Sequence, residues 1–467
     1  MYIFYDFETS SREVLGQILS YSFVGVDTYL EPQISCNGFV KLNPTECPEM
    51  GAILTNKLSL KQLEEEGISE YETAKKIHQF LATQIQTYKH CTLVGYNSNS
   101  FDLSFLRNLF IRHGLNPYFM GKLANLDILH FTQHIAFNNS DTFKWTAPSS
   151  EKNYFSFTLE DISKAHGILA ESQTHSAVED VLLLIKLTTH LIEQYKITLS
   201  EFQAVKFPED FKFPYELRFA KQKTRHFPEE SSTSVEKYLY HYWLVLFVSK
   251  KSMCLLNLEK YQQLLNSNPT TEKKLSCVKY INANKHFCIL ESLNETEIKQ
   301  WSEVKEKVRN DAFFQGILTN PPSYFEMIKK DWDIQYQIHE LGFERIDGLN
   351  ALIQKLGLEP DSYYQIIQDL MGSRTSEKDT YLIQLFNRFY LNNHPDVPIE
   401  HAKRYLTPRY ITGTYHRNKE DFTNLQDQLS HLNDLVADKS ISEQDRVLCK
   451  ELLSYFNRFI DKYQLIK

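Results

Sequence analysis

Two carboxylates stand two positions apart near the start of the chain, in Tyr2-Ile3-Phe4-Tyr5-Asp6-Phe7-Glu8-Thr9. The apolar run before them is rich in β-forming residues and predicts a strand. Side chains alternate across a strand, so Asp6 and Glu8 share one face at its carboxyl end, where ligand sites of α/β sheets open. Two acids on one face repel each other unless a cation lies between them, and hard oxygen ligands suit Mg²⁺ or Mn²⁺. Taken alone, the pair also fits two solvated surface acids.

A third acid, Asp102, follows the strand-like segment Cys91–Tyr96 and the polar break Asn97-Ser98-Asn99-Ser100. A strand, a break and an acid at a helix start place this carboxylate over the edge of a sheet. In isolation Asp102 also fits an ordinary acid at a helix N-terminus, which the helix dipole favours.

The fourth element is His175-Ser176-Ala177-Val178-Glu179-Asp180. Residues five apart in a regular helix lie about 140° apart around its axis. His175 and Asp180 therefore share a site only if His175 precedes the helix and Asp180 projects from its first turns. Thr174 and Ser176 suit such a helix start. In isolation the two residues also fit a surface histidine and a helix-surface acid.

Three short strands must position these residues, at Tyr2–Tyr5, Ile18–Val26 and Phe39–Leu42, and their short connections predict an antiparallel meander. Helical periodicity over residues 69–87 follows, and a last apolar stripe begins near Ala177. Residues 1–198 thus read as one α/β unit.

Proline-containing segments predict a linker around residues 200–236. Strand-like runs follow between about 237 and 295, among them Tyr242–Val248 and Cys277–Ile281. From about residue 296 the pattern is helical. The stretch His401–Lys419 interleaves basic and aromatic residues. This pattern fits either a surface that binds single-stranded nucleic acid or a solvated basic face.

Composition bounds the classes of protein. The chain has 467 residues, enough for about three domains. The net charge of −8 argues against coating duplex nucleic acid by bulk charge. Seven cysteines without a Cys-x-x-Cys motif disfavour a disulfide framework or a zinc finger. With no signal peptide and no apolar run of about 20 residues, the sequence predicts a cytoplasmic protein without a membrane span.

The order of these elements resembles the exonuclease superfamily that has an Asp-Glu-Asp-Asp core and a catalytic histidine on a ribonuclease H-like fold. Asp6-Phe7-Glu8-Thr9, Gly95-Tyr96-Asn97, Phe101-Asp102 and the segment Leu159–Ile168 are similar to bacterial exodeoxyribonuclease I. The similarity is strong over residues 1–198 and looser beyond.

The resemblance implies a fold class and three domains. It implies an α/β ribonuclease H-like exonuclease domain with a mixed β-sheet over 1–198. A Src homology 3-like β-barrel domain with its linker would follow over 199–335, and a helical exonuclease I-type domain over 336–467.

The resemblance also implies a two-metal site, with Asp6, Glu8, Asp102 and Asp180 holding two Mg²⁺ ions, or Mn²⁺ as the alternative. Such a pair of ions clamps the scissile phosphate, generates the nucleophile and stabilises the leaving 3′ oxygen. His175 would take the proton from the attacking water, because imidazole titrates near neutral pH. Glu8 would share the catalytic role.

Positions that touch nucleic acid in the family correspond to Thr9, Arg107, Tyr118 and Lys122. Arginine suits phosphate and tyrosine suits base stacking. Arg107, Tyr118 and Lys122 also fit a salt bridge or a packed ring. The family has Arg between Phe157 and Leu159, where this chain has Thr158, so a phosphate contact is removed at that position.

The leading hypothesis is a single-strand-specific 3′→5′ exodeoxyribonuclease that releases 5′-mononucleotides in DNA repair or recombination. It would act as a monomer on the 3′ end of single-stranded DNA, with a single-strand-binding protein as a partner. One alternative is a 3′→5′ exoribonuclease, which only a pocket that senses the 2′-OH would distinguish. Another is a catalytically silent binding module, which the absence of Mg²⁺-dependent degradation of any nucleic acid would favour.

Overall fold

The computed structural model describes residues 1–146, 154–170, 176–202, 204–206, 217–223, 240–248, 252–265, 269–282, 286–319, 342–394, 396–413 and 424–466. His175 lies outside the described residues. Contacts group the chain into two compact units, the first made of Met1–Leu126, Thr174–Leu182 and Trp332–Lys467, the second of Asp127–Gln173 and Leu183–Asp331. The three domains expected from the sequence, and the two boundaries between them, stay a prediction.

A five-stranded sheet forms the centre of the first unit, in the order β3-β2-β1-β4-β5. β1 pairs antiparallel with β2 and parallel with β4, and β2 pairs antiparallel with β3. The sheet is therefore mixed and begins with the predicted meander. Its strands are β1 Tyr2–Thr9, β2 Ile18–Val26, β3 Pro32–Phe39, β4 Cys91–Gly95 and β5 Leu123–Asp127.

The two faces of β1 have different surroundings. Ile3, Tyr5 and Phe7 belong to an apolar cluster with side chains of α3 and α4, helices at Glu70–Tyr88 and Asp102–Ile111. By strand alternation, Asp6 and Glu8 point to the opposite face. Two shorter helices, α1 Met50–Asn56 and α2 Leu60–Glu66, precede α3, and a 3₁₀ turn at Phe119–Gly121 precedes β5.

The third strand differs from the prediction, which placed it at Phe39–Leu42. The observed β3 ends where the predicted strand begins. The Asp27 carboxylate accepts the backbone N–H groups of Tyr29 and Glu31, and this tight turn starts the pairing with β2 at Pro32. Because β3 is an edge strand with an exposed face, its sequence carries little apolar signal.

Helix α7 at Ala177–Tyr195 begins where the apolar stripe predicted it. It passes from the first unit into the second at Leu183. The second unit also contains α5 Ile128–Asn138 and α6 Leu159–Ala165.

A second sheet lies in the second unit, antiparallel, in the order β10-β9-β8-β7. A short parallel pair joins β6 to β11. A closed Src homology 3-like barrel stays a prediction. The bounds are β6 Val205–Lys206, β7 Arg218–Lys223, β8 Tyr240–Val248, β9 Ser252–Asn257, α8 Leu258–Leu264, α9 Thr271–Ser276, β10 Val278–Asn282, β11 Cys288–Ile289, α10 Glu295–Asn310 and α11 Ala312–Thr319.

The predicted linker at 200–236 is wrong for Arg218–Lys223, which form β7. The run is polar, but its partner β8 supplies the pairing, with Lys221 opposite Tyr242. Lys221 donates to the Glu297 carboxylate at 2.9 Å, and Lys223 donates to the Phe137 carbonyl at 3.0 Å. These lysines are therefore engaged within the unit.

The C-terminal region is helical, as predicted, and completes the first unit. Its helices bury Leu406, Leu452 and Phe456 in one apolar cluster with Leu19 and Ile53. None of the helices in the described chain has the length and hydropathy that a membrane span requires. The bounds are α12 Phe343–Leu358, α13 Tyr363–Gly372, α14 Glu377–Asn393, α15 Ile399–Tyr410, α16 Leu425–Ala437 and α17 Glu443–Tyr463, with a 3₁₀ turn at Pro360–Ser362.

Candidate active site

Strand β1 carries the first two carboxylates to the end of the sheet. Its pairing with β2 shifts register between Glu8 and Thr9, which marks a bulge. Bulges are common next to active sites because they redirect side chains and end the pairing. After the bulge, the Thr9 hydroxyl donates to the Ser11 carbonyl at 2.8 Å and the Asn56 amide donates to the Thr9 carbonyl at 2.9 Å. Hydrogen bonds of the Thr9 side chain and of the Thr9 carbonyl thus fix the end of β1.

The turn after β4 places Asp102 at the first position of α4, where it is buried. A Cβ on Gly95 would lie 2.5 Å from the Cβ of Ser98, so only glycine allows this turn to close. Asn97 adopts a left-handed conformation, which asparagine tolerates better than most residues.

A polar network fixes the same turn from the side. The Tyr5 hydroxyl donates to the Asn125 amide oxygen at 2.9 Å. The Asn125 amide nitrogen donates to the Ser98 hydroxyl at 3.1 Å and to the Asn99 side chain at 3.0 Å. Side chains of two strands, β1 and β5, thereby hold the loop before Asp102. The sequence did not single out Asn125, which stands between Ala124 and Leu126 in β5.

The predicted carboxylates meet at one place. One carboxylate oxygen from each of Asp6, Glu8 and Asp180 lies within 4.8 Å of the other two. Asp180 projects from the first turn of α7, as predicted, and is buried. Asp102 is close enough to act electrostatically on both Asp6 and Glu8. Three of the four predicted metal ligands therefore meet within one cluster, and the fourth, Asp102, acts on it electrostatically. Oxygen donors of this kind suit a hard divalent cation.

The burial and mutual repulsion of these carboxylates favour the binding of a cation. Burial, followed by repulsion from Asp102, Glu8 and Asp180, raises the pKa of Asp6 well above its usual value. Burial, followed by repulsion from Asp180 and Asp102, raises the pKa of Glu8 to about 9. Near neutral pH, Glu8 without a cation therefore retains a proton. A divalent ion offsets the repulsion that adds to the effect of burial.

A cavity of about 930 Å³ opens beside Glu8 and Thr9. It continues along the loop at residues 11–16 and reaches Tyr410 and His431 of the C-terminal region. Its volume falls in the upper range of small-molecule sites. The cluster thus borders a space that admits a nucleotide-sized ligand.

The loop that follows Thr9 is tied to the C-terminal helices. The Ser10 hydroxyl donates to one oxygen of Glu46 at 2.5 Å, and Arg409 of α15 donates to the other at 2.9 Å. Arg409 and Arg388 also donate to the Leu15 carbonyl, at 3.1 and 2.9 Å. α14 and α15 therefore help to position the loop beside the carboxylates.

Most of the residues that were expected to contact single-stranded nucleic acid lie in the first unit. Arg107 lies over the Tyr118 ring at 5.7 Å from its centroid, and Tyr118 packs edge-to-face against Phe343. Burial lowers the pKa of Arg107, although Tyr118 opposes the shift. The Lys122 side chain is exposed beyond the same turn. A role of these three residues and Thr9 in binding nucleic acid stays a prediction.

Thr158 has a local structural role in the second unit. It is the N-cap of α6, where its hydroxyl accepts the Asp161 N–H at 3.1 Å and donates to the Asp161 carboxylate at 2.8 Å. Side-chain caps of this kind satisfy a helix N–H that has no partner within the helix. Thr158 is exposed, and its position beside nucleic acid, without the phosphate contact that an arginine would make, stays a prediction.

The basic and aromatic stretch at His401–Lys419 was expected to be a surface. This expectation is wrong for Arg409 and Tyr410, which are buried within the first unit. The Tyr410 hydroxyl accepts the Cys47 N–H at 3.0 Å. The sequence did not separate these residues from exposed Arg404, because Arg404-Tyr405 and Arg409-Tyr410 are the same pair of residues. The stretch beyond residue 413 lies outside the described residues.

Comparisons with known proteins agree on one resemblance. No protein-family model matches the chain. The exodeoxyribonuclease I of Buchnera aphidicola subsp. Acyrthosiphon pisum is 26% identical over 196 residues, which are 40% of this chain and 44% of that protein. The exodeoxyribonuclease I of Escherichia coli K12 is 26% identical over 192 residues, 39% of this chain and 38% of that protein. The chain thus spans about two fifths of the length of the curated relatives it matches.

Solved structures extend the likeness over nearly the whole chain. An exonuclease I from Methylocaldum szegediense superimposes with a TM-score of 0.68 at 17% identity, covering 98% of this chain and 99% of that one. The zinc-ion-bound complex of E. coli exonuclease I with single-stranded DNA gives a TM-score of 0.65 with the same identity and coverage. The resemblance to bacterial exodeoxyribonuclease I, the mixed sheet and the helical C-terminal region are confirmed.

Proposed function

We propose that the chain is a metal-dependent 3′→5′ exodeoxyribonuclease specific for single-stranded DNA, releasing 5′-mononucleotides. The observation that carries the proposal is the convergence of Asp6, Glu8 and Asp180 within 4.8 Å, with Asp102 acting on the same cluster. The E. coli protein of the same fold was solved in complex with single-stranded DNA, which supports the choice of substrate.

The four carboxylates would hold two divalent cations, Mg²⁺ by preference and Mn²⁺ as the alternative. Bound cations supply Lewis acidity toward the phosphate and offset its charge. The protein's own part is to hold the acids together despite their repulsion. The bulge after Glu8, the Gly95 turn and the start of α7 do so by fixing the backbone that carries each acid.

His175 would accept the proton from the attacking water, since an imidazole near its ordinary pKa acts as a base at neutral pH. It lies outside the described residues, five positions before Asp180. That spacing allows it to precede α7 while Asp180 projects from the helix. His175→Ala should abolish hydrolysis and leave binding of single-stranded DNA intact.

Binding of the strand would draw on groups next to the cluster. The cavity beside Glu8 and Thr9 would take the 3′-terminal nucleotide, and the stacked pair of Arg107 and Tyr118 would contact phosphate and base. We further propose that the protein acts as a monomer and that a single-strand-binding protein recruits it in DNA repair.

The test is degradation of end-labelled single-stranded DNA, duplex DNA and RNA with Mg²⁺ or with EDTA. We expect single nucleotides to be released from the 3′ end of single-stranded DNA, with Mg²⁺ only. Equal or faster degradation of RNA would favour the exoribonuclease. Binding without Mg²⁺-dependent degradation of any substrate would favour the silent binding module.

A further inference from the structure

A cluster of buried charges joins the helices around the first unit's loop at residues 10–17. Arg112, Arg388 and Arg409 are each less than 10% exposed, as are Glu46 and Glu70. Arg112 pairs with Glu70, and Arg409 pairs with Glu46 at 2.9 Å. The cluster thus contains one more positive charge than negative charge among the described residues. His113 beside it adds no charge at neutral pH, because burial lowers its pKa to about 4.

Arg388, unlike Arg112 and Arg409, has no carboxylate partner among the described residues. One of its terminal nitrogens donates to the Leu15 carbonyl at 2.9 Å, while its buried Nε has no hydrogen-bond partner there. The charge of Arg388 nevertheless acts on its neighbours, since it helps to lower the pKa of Arg112 and the pKa of Glu70. A buried guanidinium with an unused donor is costly unless an anion completes it.

A cavity of about 310 Å³ lies directly beside Arg388, between α14 and α15. Its wall contains Arg404 and His401 in addition to Arg388 and Arg409, and Tyr405 faces it. No carboxylate belongs to its wall among the described residues. The His401 ring lies 2.7 Å from the Asn387 amide oxygen, which fixes its orientation. Arg388 and Arg409 in the wall of the cavity, with exposed Arg404 at its edge, create a field that attracts anions.

We propose that this cavity binds a phosphate group carried by a nucleotide. Guanidinium groups match phosphate geometry with paired hydrogen bonds, and the volume exceeds what an inorganic phosphate alone would fill. The tyrosine rings at positions 381 and 405 would contact the sugar or base. The phosphate belongs either to a free mononucleotide or to the strand itself. The nucleotide identity rests on the proposed function, whereas the phosphate site does not.

Binding without turnover tests the site separately from catalysis. The full chain in EDTA is titrated by calorimetry with thymidine 5′-monophosphate and with thymidine, and by anisotropy with a labelled oligothymidylate. EDTA leaves the carboxylate cluster without cations, so that cluster repels phosphate. Arg404→Gln and Gln384→Glu alter exposed positions at the cavity, and Arg458→Gln removes a matched exposed arginine on α17.

We expect the monophosphate to bind and thymidine not to bind. Arg404→Gln should weaken binding about tenfold, since it removes a charged hydrogen bond. Gln384→Glu should weaken binding of the monophosphate more than Arg404→Gln does. Arg458→Gln should leave this binding unchanged. If the same variants weaken only the oligonucleotide, the phosphate is that of the strand. If Arg404→Gln and Gln384→Glu change neither affinity, the proposal is overturned, whatever the nuclease assay gives.

Discussion

Each acid of the carboxylate cluster is held where it repels the others. Asp180 is the strongest source of repulsion on Glu8, whose pKa burial and its neighbours raise to about 9. Such a site is destabilising for the protein alone and becomes favourable when a cation binds. A single carboxylate therefore affects stability and metal binding in opposite directions.

Asp180→Asn tests this opposition. We expect the nuclease rate to fall about a thousandfold or more, because a metal ligand is lost. In EDTA we expect the melting temperature to stay equal or rise, because one repulsive charge is removed. The measurements are 3′ end release from single-stranded DNA and thermal melting with and without Mg²⁺. Glu179→Gln, on the same helical turn but exposed, is the matched control. A melting temperature that falls in EDTA would show that Asp180 supports the fold instead.

Thr158 allows a gain-of-function test of the departure from the family pattern. Thr158→Arg should tighten binding of single-stranded DNA and increase the salt dependence by about one phosphate contact. It should also cost about 1 kcal/mol of stability, because the cap of α6 is lost. Thr158→Gln removes the cap without adding charge and isolates that cost. The salt dependence of affinity, measured by anisotropy, decides: equal slopes for both variants would exclude the contact.

At the level of elements, the turn between β4 and α4 is closely packed and positions Asp102. Gly95 faces Ser98, and the side chains of Tyr5 in β1 and Asn125 in β5 connect two strands to the loop before Asp102. The turn has little freedom to relax, because Ser98 is fully buried.

Gly95→Ala should therefore displace the turn and with it Asp102. We expect a loss of about 1–3 kcal/mol in the free energy of unfolding, as for other overpacked sites. The nuclease rate should fall as well, even though no charged group is changed. Gly316→Ala, in α11 with open space around its Cβ, should instead be neutral or stabilising by up to about 1 kcal/mol. Urea unfolding and end-release rates on both variants measure this. Equal behaviour of the two would contradict the role of the turn.

Over the whole molecule, buried histidines couple folding to pH. Burial is the main cause that lowers the pKa of His113, His130 and His166, each to about 4. Between pH 6.5 and 4 the unfolded chain binds these protons while the folded chain does not. Their contribution to stability is therefore complete above pH 6.5 and is lost as the pH falls toward 4.

We expect the urea midpoint to fall steadily between pH 6.5 and 4.5. His113→Gln should flatten this dependence, since a fully buried histidine with such a shift contributes on the order of 3 kcal/mol. His431→Gln, at an exposed position, is the control and should leave the slope unchanged. Equal slopes for the wild-type protein and His113→Gln would contradict the assignment.

The sequence by itself determined which carboxylates could form the site and most of the elements that carry them. Alternation placed Asp6 and Glu8 on one face, a polar break placed Asp102 at a helix start, and an apolar stripe located α7. These signals are local, because strand and helix periods act over a few residues. The family resemblance then joined them into one site.

Only the tertiary structure decided which polar residues are interior. Arg409 and Arg404 look alike in the sequence, yet one pairs with buried Glu46 and the other lies exposed at a cavity. Likewise β3 and β7 are polar runs that become strands because a neighbouring strand pairs with them. Partners more than 300 residues apart leave no periodic signal, since burial of a charge depends on what the folded chain brings beside it.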